Sequence, residues 1–244
     1  MSKASQDKQA QLWKKITHGR TDQVIDWIAL ELSPSATDDM GVSLLQWCCY
    51  FGDVCAIRLL IEQGAIFSRR QCTEQLHGAA FHGHRQLCQF LLEQGAEANA
   101  VNSVTGETPL HAATSIANRP VYDLIIELLL ANGSNPNQAT IAGKETECFM
   151  RDSRTKGETP LHRAAAFASD RSIQRIIDAG GDVQLPDQNG DTPLSWASWH
   201  LRPDRIIRRL CFDPHSLHPD RQSQYDHGRG WRAMDFHLMG RFIS

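Results

Sequence analysis

The chain has 244 residues, a formal charge of −3 and 22% charged residues, which excludes nucleic-acid binding by overall charge. No stretch approaches the roughly 18 apolar residues of a helical membrane span. The seven cysteines are odd in number, two are adjacent (Cys48-Cys49) and none forms a CxxC pair. With a polar N-terminus lacking a hydrophobic leader, they point to free thiols in a reducing, cytoplasmic setting.

In chain order, residues 1–6 are expected to fray. The segment 7–38 carries Trp13, Lys14, Lys15, Gly19 and Trp27 and reads as a modified N-terminal cap. The segment 39–70 opens a helix at Ser43-Leu44-Leu45-Gln46 and ends it at Gly52. A second helix follows with Val54, Ile57, Leu60 and Ile61 on one face, closing at Gly64. The segment 71–102 repeats the plan with Glu74-Gln75-Leu76-His77, Gly83, Leu87, Phe90, Leu91, Leu92 and Gly95. In 103–156 the opening becomes Thr108-Pro109-Leu110-His111, followed by Leu124, Ile125, Leu128, Leu129 and Gly133. In 157–189 it recurs as Thr159-Pro160-Leu161-His162, with Ile173, Ile176, Ile177 and Gly180. In 190–212 it is Thr192-Pro193-Leu194-Ser195, with Leu201 in the glycine position and Pro203 expected to interrupt the second helix. The segment 213–244 leaves the pattern and holds enough apolar residues, Trp231 and Phe236 among them, for a C-terminal capping extension.

The motif threonines Thr159 and Thr192 stand one period of about 33 residues apart. Each copy of the motif follows Gly-Glu or Gly-Asp and precedes small residues. The threonine is a good N-cap, and proline at the first helical position loses no hydrogen bond. A two-helix unit with this period and opening resembles the ankyrin-repeat family. The resemblance implies an all-α solenoid of about six helix-turn-helix units over 1–212, with short hairpin-like finger loops and atypical caps. Each unit buries too little alone, so stacking supplies the core.

The resemblance also implies a surface for protein recognition in place of a catalytic centre. Residues before each register position should face a concave groove: Tyr50, Phe51, Phe81, His82, Ile116, Phe167, Trp199 and His200 are the candidate contacts. The competing reading packs some of them between repeats. Finger candidates are Phe67, Arg69, Arg70, Asn102, Phe149, Met150, Arg151 and Gln188. The connection from Gly133 to Gly157 is more than twice as long as that from Gly95 to Gly106. Its surplus in 139–156 reads as an elongated finger or a disordered linker.

Three further features invite a reading. Cys211, His215 and His218 match no common zinc spacing, so no metal or cofactor is expected. Arg202, Arg205, Arg208 and Arg209 read as a solvated basic face, with an acidic partner as the alternative. His77, His111 and His162 are expected, from the family, to hold loop geometry. The function expected is non-catalytic binding of a protein partner by a monomer. The alternatives are an effector that inhibits or recruits an enzyme, and activity or nucleic-acid binding in the basic tail.

Overall fold

A computed structural model describes residues 3–116, 119–146, 148, 154–213 and 215. Among the described residues it contains α-helices and isolated bridges without a named strand. The chain divides into two compact units, Met1–Glu97 and Ala98–Ser244. In the first lie α1 (Lys3–Thr17), a 3-10 turn (Thr21–Gln23), α2 (Val24–Ala29), α3 (Leu44–Phe51), α4 (Val54–Glu62), α5 (Arg69–His82) and α6 (Arg85–Glu93). In the second lie α7 (Pro109–Thr114), α8 (Pro120–Ala131), α9 (Pro160–Phe167), α10 (Asp170–Asp178), α11 (Pro193–Trp199) and α12 (Asp204–Leu210).

Both units are built in two layers. First helices stack on first helices (α1 on α3, α3 on α5; α7 on α9, α9 on α11), and second on second (α2 on α4, α4 on α6; α8 on α10, α10 on α12). The alanines of the first helices are buried and let these helices approach closely: Ala79 and Ala80, Ala112 and Ala113, Ala164 and Ala165. Larger side chains fill the space between layers. Ile57, Leu60, Leu87 and Leu91 do so in the first unit, and Leu110, Ile125, Leu161 and Ile176 in the second, all with no exposed surface. Each such side chain contributes about 1.5–3 kcal/mol by leaving water.

Helix starts follow the capping chemistry of the sequence, with two corrections. Thr108 and Thr159 form capping boxes with His111 and His162. Ser43 pairs in the same way with Gln46, so the unit without proline or histidine still has a complete cap. Ser68 and Gln71 cap α5, which therefore begins at Arg69, about one turn before the Glu74-Gln75-Leu76-His77 segment. Arg69 and Arg70, expected in a finger loop, are first-turn helix residues. Pro203 is the N-cap of α12 rather than an interruption within it; a ring that cannot donate a hydrogen bond is tolerated there.

Most reversals after the first and second helices use left-handed backbone, whereas α7 and α9 end in right-handed Ser115 and extended Ala168. Gly19, Gly52 and Gly83 end first helices, and Gly64, Gly95, Gly133 and Gly180 end second helices, all with φ between 74° and 98°. The same conformation persists where glycine is missing: Glu31 and Leu201 both have φ 53°. Glu31 stands one repeat period before Gly64, so the second-helix series begins one unit earlier than its glycines. A side chain in this conformation costs roughly 1–2 kcal/mol. Leu201 is 52% exposed and gives up little packing when truncated. Leu201→Gly is therefore expected to raise stability by about 1 kcal/mol, read as a higher urea midpoint at unchanged slope. A lower midpoint would contradict the strain.

Candidate functional site

In the first unit the ends of α3 and α5 place a cluster of rings together. Tyr50 meets His82 edge-on at 5.2 Å between centroids, and His82 lies 5.8 Å from His84. Trp47 stacks on Phe51 at 6.3 Å, and Phe81 adjoins His82 at 5.2 Å. The two layers of this cluster differ. Tyr50 is 55% exposed and His82 is exposed, whereas Phe51, Phe81 and Trp47 are half-buried. Phe51 also faces the backbone at Gly19, where an added Cβ would come within 3.4 Å of its ring. Tyr50 and His82 thus present the surface, while the phenylalanines support it. Burial, then the neighbouring His84, lowers the His82 pKa, which favours the neutral ring.

The fingers are hairpin-like turns held by their own side chains. Asp38, Asn102 and Asp187 each accept two backbone N–H groups of the turn through one Oδ1. Asn102 thereby shapes its finger. Asp38 and Asp187 also accept from the indoles of Trp47 and Trp196, at 3.2 and 3.1 Å. In the second unit adjacent fingers are joined by backbone bonds, Ile141 N to Thr105 O and Gln188 N to Lys156 O, both 2.8 Å. The side chain of Gln188 is exposed and Phe67 is half-buried. Arg69 pairs with Glu97 at 3.3 Å and Arg70 with Glu74 at 2.9 Å. The long connection leaves and returns as an antiparallel pair, with Gly143 N bonded to Thr155 O and Thr155 N to Lys144 O. Phe149, Met150 and Arg151, with most of the tail (His218, Trp231 and Phe236 included), lie outside the described residues.

In the second unit Phe167 meets His200 edge-on at 4.8 Å, Trp199 is 70% exposed and Ile116 is half-buried. The terminal arginines do not form one solvated face, as the sequence suggested. Arg202 donates to the Ala166 and Ala168 carbonyls. Ala168 is extended rather than left-handed, so α9 ends without a glycine cap and the guanidinium satisfies its last carbonyl groups instead. Arg209 donates to Asp170 through Nε and Nη2, at 2.7 and 3.1 Å. Arg205 remains exposed. The His200 pKa is lowered by burial and then by the charges of Arg202 and Lys156.

The chain matches a family model described as ankyrin repeats (3 copies) over residues 12–102 and 76–146, more than half its length. The protein belongs to the ankyrin-repeat family. It is 30% identical over 123 residues, half of this chain, to the inactive serine/threonine-protein kinase TEX14 of Bos taurus. It is 32% identical over 123 residues, again half, to neurogenic locus notch homolog protein 1 of Xenopus tropicalis, and 31% over 142 residues, 57% of the chain, to homolog protein 2 of Homo sapiens. These alignments span 7%, 4% and 5% of the relatives' own lengths. Ankyrin repeats are generally protein–protein interaction modules and generally non-catalytic. Among the described residues no helix is long and apolar enough to cross a membrane.

The ankyrin motif explains the histidines and hides a second network. The Nδ1 atoms of His111 and His162 engage their capping threonines, while their Nε2 atoms reach the next motif, at Glu158 O (3.3 Å) and Asp191 O (3.0 Å). Burial pushes the Cys48 and Cys88 thiols up to about 12, which makes them inert packing groups. Glu107 and Glu158, the residues before each capping threonine, converge on Arg163, and all three are buried. Arg163 Nη1 lies 2.7 Å from Glu107 Oε1, and its Nε donates to Glu158 Oε1 at 2.9 Å. Thr140 Oγ1 and Lys156 N donate to the other Glu158 oxygen, at 2.8 and 2.6 Å, and Thr146 donates to Glu107. The motif and its insertion are thus bound together by charge.

Burial alone would raise the Glu107 pKa, but the Arg163 charge and the donated hydrogen bonds outweigh it and hold the carboxyl below its usual range. A carboxyl depressed in the folded state adds stability above its ordinary pKa and loses it on acidification. Arg163→Met leaves two buried carboxylates without their cation, an expected cost of about 3–5 kcal/mol at pH 7. With Arg163 gone, burial dominates and the slope reverses, so the variant should be more stable to urea at pH 5 than at pH 7. Equal midpoints for variant and wild type would remove the network from the fold's energetics.

Proposed function

We propose that this chain is a non-catalytic recognition module that holds a protein partner on the exposed ends of its first helices. The observation that carries the reading is the Tyr50–His82 pair, two exposed rings in edge contact at 5.2 Å, above half-buried Phe51 and Phe81. In the second unit the matching positions are Trp199 and His200, with Phe167 against His200 and Ile116 following α7 at the corresponding position. Exposed aromatic anchors on a rigid support are what interface hot spots require. A large exposed ring lowers solubility unless something covers it. Rigidity helps, because a preformed surface loses little side-chain freedom on binding.

Finger contacts complete the reading. Arg69 and Arg70, in the first turn of α5, and Gln188, in a finger, are exposed, and the long connection gives one partner-facing finger that the other repeats lack. Residues 1–212 form the recognition array in this reading, and 213–244 close its C-terminal end.

Tyr50→Ser with His82→Ser removes the exposed layer while leaving Phe51 and Phe81 in place, so the circular dichroism spectrum and urea midpoint should hold. Proteins retained by immobilised wild type from native lysate, identified by mass spectrometry, should drop at least tenfold on the folded variant. Undiminished retention of the same protein would move the contact away from these rings, and an unfolded variant would make them core residues.

A further inference from the structure

The second unit holds a cavity of about 530 Å³ that the recognition surface does not account for. It opens between the starts of α10 and α12, with Arg171, Arg202 and Arg205 on its walls beside Asp123, Asp170 and the Phe167 ring. The acidic groups are already engaged. Asp170 is held by Arg209, and the Asp123 carboxylate accepts the Ser169 and Ser172 hydroxyls. The wall carries three guanidiniums against two carboxylates, a surplus of positive charge, and Arg209 pairs with Asp170 from outside it. Among the described residues Arg202 meets carbonyl oxygens rather than a carboxylate, and Arg171 and Arg205 are exposed without an ion-pair partner. Neighbouring groups feel this surplus: besides burial, Arg205 lowers the Arg202 pKa, and Arg202 lowers that of His200.

We propose that this cavity binds a phosphorylated side chain presented by a protein partner. The proposal rests on the reading of the chain as a recognition module and names the chemistry that one part of its surface selects. A phosphate dianion is drawn by the surplus of positive charge, and guanidinium forks suit its oxygens. Arg202 is already oriented by two backbone carbonyls, so its placement costs little on binding. The Phe167 ring gives the stem of the side chain an apolar wall. A nucleic-acid strand fits less well, because a backbone needs a continuing basic track, whereas here the arginines close around one cavity flanked by carboxylates.

The experiment is fluorescence anisotropy with the full chain and short labelled peptides carrying phosphotyrosine, phosphoserine or unmodified tyrosine. A single-stranded oligonucleotide is run beside them. Phosphorylated peptides should bind at least tenfold more tightly than the unmodified one. Arg171→Ala with Arg205→Ala should remove that preference; both side chains are exposed, so folding should survive, as a urea midpoint checks. Tighter binding of phosphotyrosine would place an aromatic stem against Phe167, and equal binding of the two phosphopeptides would mean that the phosphate alone is read; either supports the site. Equal binding of modified and unmodified peptides overturns it, as does a preference that the double variant retains. Arginine-dependent binding of the oligonucleotide alone would assign the cavity to nucleic acid and also overturn it. Tyr50→Ser with His82→Ser should leave peptide binding unchanged, so failure of the ring surface and failure of this cavity are read separately.

Discussion

A helix pair of this length is closed by tight reversals, most of them through left-handed backbone, and most other features depend on those reversals. They return each second helix antiparallel against its partner, which aligns small residues along one layer and larger aliphatic ones along the other. Gly19, Gly52 and Gly83 mark one series and Gly64, Gly95, Gly133 and Gly180 the other. Glu31 and Leu201 show that the geometry is imposed by packing, since it persists where the residue opposes it. Ala168 offers the contrasting solution. There the chain runs extended, and Arg202 takes up the carbonyl groups that a glycine turn would have satisfied.

The second constraint is electrostatic. Two carboxylates and one guanidinium are buried together at Glu107, Glu158 and Arg163, an arrangement that hydrophobic residues of similar volume often match in stability. Its distinguishing property is directional. Glu158 also accepts from Thr140 and Lys156, which flank the long connection, and Glu107 accepts from Thr146 within it. The base of the insertion is therefore tied to the motif from both sides. A finger whose base is fixed can carry a contact without the whole connection having to order upon binding.

Much of this was legible in the sequence, because the reading rested on backbone chemistry that repeats. The repeat period, the Thr-Pro pairs and the glycine register gave helix order and most helix ends, and the family resemblance implied the loop-holding roles of His111 and His162. Three things were not legible. Ser68 begins α5 a turn early because a serine–glutamine box caps as well as the threonine motif, which moved Arg69 and Arg70 from loop to helix. Exposure within the ring cluster depends on how far each helix rotates on its neighbour, so Tyr50 and Phe51, adjacent in sequence, differ in depth. Arg163 looked like an ordinary residue after the motif histidine. Nothing local shows that its partners are Glu158, just ahead of its own motif, and Glu107, ahead of the motif one unit earlier.

The terminal arginines show how far charge in a sequence is from charge on a surface. Counted along the chain, Arg202, Arg205, Arg208 and Arg209 form one basic run. In the fold, Arg202 becomes the cap of α9 and Arg209 a strut to Asp170. Arg205 comes to share a cavity with Arg171, which belongs to the preceding helix pair. Arg202 and Arg209 are held by neighbours while Arg171 and Arg205 reach water, yet the two held in place make the free pair useful. Arg209 neutralises Asp170, which would otherwise cancel one guanidinium, and Arg202 sets a fixed positive wall. A repeat fold invites this division, because corresponding positions of successive second helices lie side by side. Similar residues at the start of α10 and α12 then add into a local field that neither helix would produce alone.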